Sequence, residues 1–189
     1  TSEPAVGCFL DDSVSDFALG TNNSTFISEG NGGQVILAPM VGEYFSGSTL
    51  PSGWTGNEWT PGWGGTTTVS GGSIAVEGSR AGTNADYAAG ATLDALATFG
   101  AAPWQHVGWV GDFDFNQNWA IFSTFNTPDQ LYARTSDGTN TLISGTWIGS
   151  AHTYRIERTA SQVIFSIDGT QVAVHTFNYA ELMRPLISD

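Results

Sequence analysis

Cysteine is almost absent from this chain: Cys8 stands alone, so no disulfide can close within it, and the thiol is left buried and free or pairs between chains. Basic residues are scarce as well, five against 18 acidic ones, giving a formal net charge of −13. A surface of that sign repels nucleic-acid phosphate and anionic lipid, which excludes nucleic acid as a partner and disfavours anionic membranes. Charge of either sign is thin, at 12% of residues, about half the usual share. No apolar run reaches the ~20 residues needed to span a bilayer, so membrane insertion is not expected. No basic-then-apolar signal segment stands in the sequence. Also lacking are a long helical pattern, a repeat with a period of about 20–50 residues, a G-x-S-x-G elbow, a phosphate loop and a dinucleotide fingerprint. Propellers, solenoids and the common nucleotide enzymes fall away together.

What remains is glycine, small polar residues and aromatic rings. The 189 residues include 24 Gly, 12% aromatics and 40% hydrophobic residues, enough for one cored domain or one domain with a short extension. Residues 1–39 read as an N-terminal β-arm packed on the main body. Val14 to Phe17 begins a short strand, Thr25 to Ser28 alternates, and Gln34 to Ala38 is a strand ended by Pro39. Residues 42–72 read as a loop carrying Trp54, Trp59 and Trp63. Folded over the end of the domain these rings would plug the core; exposed, they would form a ligand platform. Beyond them come strands at Ser73–Glu77, within Ala91–Phe99, and at Gln105–Phe115, Trp119–Thr124, Leu131–Thr135 and Asn140–Ile143, with Arg80–Asn84 as a turn and one helical turn at Tyr179–Met183. About a dozen short strands with turn signals every ~8–12 residues give an all-β fold, a two-sheet antiparallel jelly-roll sandwich over residues 40–189 with the short β-arm before it.

The clearest pattern lies between Trp147 and His175. Tyr154 and Ile156 share one strand face; Val163, Phe165 and Ile167 share the next, closed by the Asp168-Gly169 turn. Period-2 alternation ended by Asp-Gly is a strong hairpin signal. The spacing W-x(4)-H-x-Y-x-I followed by V-x-F-x-I-D-G-x-x-V resembles the concanavalin A-like lectin/glucanase superfamily, whose members handle carbohydrate on one concave sheet. GEYFSG, LPSGW, VSGGSIAVEG, RAGTN, QHVGW and LYART are similar to LamG-like modules of bacterial secreted or surface proteins, over roughly residues 40–189. Two departures stand out. Glucanases of the superfamily carry E-x-D-x-E or E-x-D-x-x-E on one strand, whereas this chain has Asp112-Phe113-Asp114 with no flanking Glu. Related modules also continue past an MRPLISD-like segment into one more hydrophobic strand, so the resemblance implies either a truncated chain or a sheet edge that a strand-donating neighbour chain or a cleaved piece would complete.

On an extended strand through Phe115, Val107, Trp109, Phe113 and Phe115 would share one face, and His106, Val110, Asp112 and Asp114 the other. The two carboxyls would then stand about 6–7 Å apart, a spacing that admits an acid/base pair or hard-cation coordination by Ca²⁺. Otherwise they are two solvated carboxylates. Trp119, Tyr132 and Arg134 from the next two strands would complete a groove in which rings stack on sugar faces and polar groups bind hydroxyls. The candidate ligand-binding residues are therefore His106, Asp112, Asp114, Trp119, Tyr132 and Arg134. Uncharged polar surface and aromatic rings suit a neutral polysaccharide or glycan. His152 reads as a brace for its turn and His175 as a strand-face residue; with one distant Cys the three histidines make no zinc site. Next to no Cys or Lys, with abundant Thr, Ser, Gly and Trp, marks an exported bacterial protein, secreted or at the cell surface. The sequons at Asn22 and Asn23 matter only in a eukaryotic secretory route.

The absence of the glucanase carboxylate pattern makes a non-catalytic carbohydrate-binding or adhesion module the first expectation. A polysaccharide-cleaving enzyme using Asp112 and Asp114 with His106, a hydrolase or a lyase, is the alternative. A structural subunit of a surface layer or filament is a third.

Overall fold

The protein is described from a computed structural model over residues 23–28, 34–177 and 180–189. The chain forms two compact units, Thr1–Glu43 and Tyr44–Asp189. In the first, β1 (Thr25–Ser28) pairs antiparallel with β2 (Gln34–Leu37). Cys8, Asp11, Asp12 and the Val14–Phe17 segment lie outside the described residues.

Among its described residues the second unit holds thirteen strands: β3 (Trp54–Glu58), β4 (Thr66–Ser70), β5 (Ser73–Glu77), β6 (Ser79–Thr83), β7 (Thr92–Thr98), β8 (His106–Val110), β9 (Trp119–Ser123), β10 (Tyr132–Thr135), β11 (Asn140–Leu142), β12 (Ala151–Arg158), β13 (Gln162–Ile167), β14 (Thr170–Thr176) and β15 (Arg184–Ser188). Seven form one sheet in the order β11-β10-β9-β8-β15-β6-β3, four another in the order β14-β13-β12-β7, and β4-β5 is a separate hairpin. Every pairing between these strands is antiparallel. The two larger sheets pack face to face, Val107, Trp109, Phe122 and Ala133 of the first meeting Tyr154, Ile156, Val163 and Phe165 of the second. Each such side chain withdrawn from water contributes about 1.5–3 kcal/mol, and the indole N–H of Trp109 is satisfied by the Ile156 carbonyl at 3.1 Å. The all-β, two-sheet jelly roll read from the sequence is the fold observed.

Asp168 (φ 48°) and Gly169 (φ 77°) form the two-residue turn between β13 and β14, both residues taking the left-handed conformation a tight hairpin demands. The Asp168 carboxylate also accepts from the Thr153 backbone N–H at 2.9 Å and pairs with the His152 ring at 2.7 Å. These contacts hold its carboxyl below the usual range, the His152 hydrogen bond being the larger cause. His152 is thus a brace between two strands.

Four expectations are corrected. The strand expected over Gln105–Phe115 ends at Val110, and residues 111–118 form a loop. Arg80–Asn84, read as a turn, lies largely in β6, a strand inside the sheet. Its small residues let it pass beneath other groups: a Cβ at Gly82 would stand 2.6 Å from the Pro185 carbonyl oxygen. The tryptophan-bearing loop contains β3 and β4. No helical turn occurs over residues 180–183.

Among the described residues, β7 in the smaller sheet has a partner on one side only, β12. Its inward residues Leu93, Ala95 and Ala97 are partly buried, whereas Tyr154, Ile156, Val163 and Phe165 on β12 and β13 are fully buried. A slot of about 460 Å³ lies between β7 and β5, with Val107 and Ile187 among its lining residues.

Candidate functional site

The site lies on the face of the seven-stranded sheet turned away from the core. Strand alternation and register place side chains there in rows. Tyr132, Ser123, His106, Ser188, Arg80 and Asn57 form one row across β10, β9, β8, β15, β6 and β3. Arg134, Ile121, Gly108, Leu186, Gly82 and Thr55 form the next. Gly108 is required in that row, since a Cβ would stand 2.3 Å from the Ala120 carbonyl oxygen and 2.7 Å from the Ile121 Cα.

The loop joining β8 to β9 folds back over these rows. Val110, Ile121 and Leu186 form a second, smaller apolar cluster beneath Phe113, Phe115 and Trp119. Phe115, at φ 58°, holds a backbone conformation costly for a bulky residue. Its ring lies 5.4 Å from His106, 5.8 Å from Trp59 and 6.2 Å from Trp119, centroid to centroid. Beside it opens a groove of about 430 Å³. Trp59, Trp104 and Trp119 supply rings to its wall, and Asp114, Asp189, His106 and Arg134 supply polar groups.

His106, Asp114, Trp119 and Arg134 therefore come together as the sequence suggested, though by a different route. His106 does face outward, but it is 9% exposed because Phe115 covers it. Burial first and the Arg134 charge second lower its pKa from 6.5 to about 4, so the imidazole is neutral near pH 7. Its Nδ1, the Arg80 Nε and the Ser188 Oγ are buried without a hydrogen-bond partner. Arg134 lies 3.7 Å above the Phe125 ring and 5.2 Å from the Trp119 ring, and its Nε donates to Asn140 Oδ1 at 2.7 Å. Tyr132 belongs to the His106 row but does not line the groove; its hydroxyl bonds Gln130 at 2.5 Å and its ring meets Phe125 edge-on.

Asp112 and Asp114 do not share a strand face. Asp112 Oδ1 accepts the backbone N–H groups of Asp114 and Asn116, both at 3.0 Å, so it folds its own loop. Asp114 reaches across to Arg80 at 2.6 Å. The two carboxylates are committed to different partners, which does not fit a shared Ca²⁺ ion. Among the described residues no group of three or more His, Cys, Asp or Glu is placed to hold a metal.

Sequence reasoning placed Phe115 on the face opposite His106, passed over Trp104, and treated Trp59 as one of three equivalent loop rings. The three diverge. Trp54 packs on Phe45, Trp63 is 86% exposed, and Trp59 lies in the groove with the Arg80 guanidinium 4.4 Å from its ring. Asp189 was also missed; burial, with Glu77 adding, raises its carboxyl above the usual range.

No family model and no curated protein sequence matches the chain. Solved structures do. An endo-β-1,3-glucanase from Pyrococcus furiosus is similar with a TM-score of 0.64 at 12% identity, over 88% of this chain and 87% of that one. The catalytic domain of a laminarinase from Thermotoga petrophila gives 0.58 at 11%, over 77% and 83%. A β-agarase A in complex with oligoagarose gives 0.58 at 10%, over 77% of each. These likenesses correct the expectation of a non-catalytic carbohydrate-binding or adhesion module: the solved structures named here are two β-glucanases and a β-agarase. The two-sheet topology, the face-to-face core and these neighbours together show the concanavalin A-like jelly-roll fold that the resemblance implied.

Proposed function

We propose that this chain is a polysaccharide-cleaving enzyme that holds its substrate in the groove of the seven-stranded sheet. One observation carries the reading: Trp59, Trp104 and Trp119 surround an opening that also presents Asp114, Asp189 and Arg134, in a fold whose solved neighbours include glucanases and an agarase. Indole rings stack on the apolar faces of sugar rings while a few polar groups fix orientation. The two groove carboxyls stand in different surroundings. Asp114 is ion-paired with Arg80, which suits a proton acceptor. Asp189 is raised by burial and by Glu77, so it keeps a proton to higher pH, which suits a donor to the leaving oxygen. Such division of labour between carboxyls is what glycoside cleavage asks for. A polysaccharide substrate also accords with the extracellular location read from composition.

The test is release of new reducing ends from a panel of polysaccharides that includes laminarin, agarose, xylan and polygalacturonate. Release is expected on at least one, with Asp114→Asn and Asp189→Asn each slower by about 10²-fold or more. A wild-type protein that shortens none of them refutes the proposal.

A further inference from the structure

All five basic residues of the chain are arginines, and three of them, Arg80, Arg134 and Arg184, stand on the outer face of the seven-stranded sheet. The strand positions on that face include no Asp or Glu, although the chain has 18 acidic residues. Two of the three arginines have carboxylates drawn to them from loops, Asp114 to Arg80 at 2.6 Å and Asp86 to Arg184 at 2.7 Å. Arg134 has none within 4.0 Å among the described residues. It is held instead by two neutral oxygens, Asn140 Oδ1 at 2.7 Å and Ser123 Oγ at 3.4 Å, between the rings of Phe125 and Trp119.

A guanidinium half removed from water and left without an ion-paired carboxylate is costly. Here burial shifts it toward the neutral form and, with its positive charge, disfavours protonation of His106 nearby. In a chain this acidic, an uncompensated cation at a ring-lined groove is a place prepared for an anion. The row beside it points the same way, since the buried Arg80 Nε, Ser188 Oγ and His106 Nδ1 have no partner, and Ser188 is the register neighbour of both His106 and Arg80.

We propose that the groove is built for an acidic polysaccharide, with Arg134 binding the carboxylate or sulfate of one sugar residue while Trp119 stacks on the ring. The inference rests on the polysaccharide-cleaving reading of the same groove and narrows its substrate to the anionic class. Planar guanidinium is suited to a two-oxygen acceptor. The net charge of −13 works against unspecific polyanion binding, so an acidic polymer that binds does so through this local cation.

The experiment compares polygalacturonate, a sulfated galactan and neutral laminarin of matched length, reading both affinity and chain shortening. Wild-type protein should prefer one or both acidic polymers over laminarin by about ten- to hundredfold, the two acidic arms separating carboxylate from sulfate. Arg134→Gln should abolish that preference. Arg155→Gln, which removes the same charge from the other sheet, where Arg155 pairs with Asp94, should leave it intact; thermal melts of both variants confirm folding. Equal or better use of laminarin overturns this inference and leaves the cleaving function standing. Preferential binding of an acidic polymer that is not shortened, with no other substrate cleaved, overturns the function and leaves the anionic site. Loss of preference in Arg155→Gln as much as in Arg134→Gln assigns the effect to overall charge and also overturns the site.

Discussion

At the residue scale the site depends on what covers His106. Its position on the outward face was legible from alternation along QHVGWV; its burial was not, because the covering ring, Phe115, comes from a segment that reads as a continuation of the same strand. With Phe115 overhead and Arg134 nearby, the pKa is lowered to about 4, while the unfolded chain titrates near 6.5. The unfolded state therefore binds the proton first. Stability from this group is full above pH 6.5 and is lost as pH falls through the window to 4, by at most about 3 kcal/mol. Chemical denaturation of wild type and His106→Gln at pH 7 and pH 4 should show the variant losing less on acidification. Phe115→Ala should raise the His106 pKa toward 6.5, read from imidazole NMR shifts. An unchanged value would mean that the ring is not what keeps water from it. Asp112 and Asp114 were legible as candidates but not as unlike ones, since the caps from the Asp114 and Asn116 amides exist only once the loop has left the strand.

Elements differ in how openly the sequence declares them. The hairpin of β13 and β14 is written in local chemistry, alternation and Asp-Gly, and no distant partner is needed to read it. Strand β6 and the last strand β15 carry little local signal. Both lie inside a sheet, β15 between β8 and β6, so their residues are selected by neighbours far along the chain. Two glycines separate the kinds of constraint. Gly169 has φ 77° and open space at its Cβ position, so Gly169→Ala should cost only the backbone conformation, about 1 kcal/mol. A Cβ added at Gly108 would stand 2.3 Å from a backbone carbonyl oxygen, and Gly108→Ala should cost about 3 kcal/mol, both measured by denaturant melts. Equal losses would contradict the close approach of β8 and β9. Strand β7, paired on one side only, should exchange its amide hydrogens faster than β12 or β13 in native-state exchange.

For the whole molecule, fold class was legible because turn signals and strand patches recur throughout, and two sheets are the way to bury so many half-apolar strands. Function was less so. A missing carboxylate motif pointed toward a binding module, but function belongs to the assembled site, and that site draws Trp59, Asp114, Trp119 and Asp189 from four separate stretches. Uncharged polar surface and aromatic rings suggested a neutral ligand; where the arginines stand could not be read from the sequence. The central claim is that sugar is held over the outer face of the seven-stranded sheet. A crystal structure of the Asp114→Asn protein soaked with an oligogalacturonate, or with a laminari-oligosaccharide in parallel, tests it most directly. Density for sugar rings against Trp119 and Trp59, with Arg134 within hydrogen-bond distance, is the result the account predicts. Sugar bound on the four-stranded sheet, or at the exposed Trp63, with none in the groove, would contradict it.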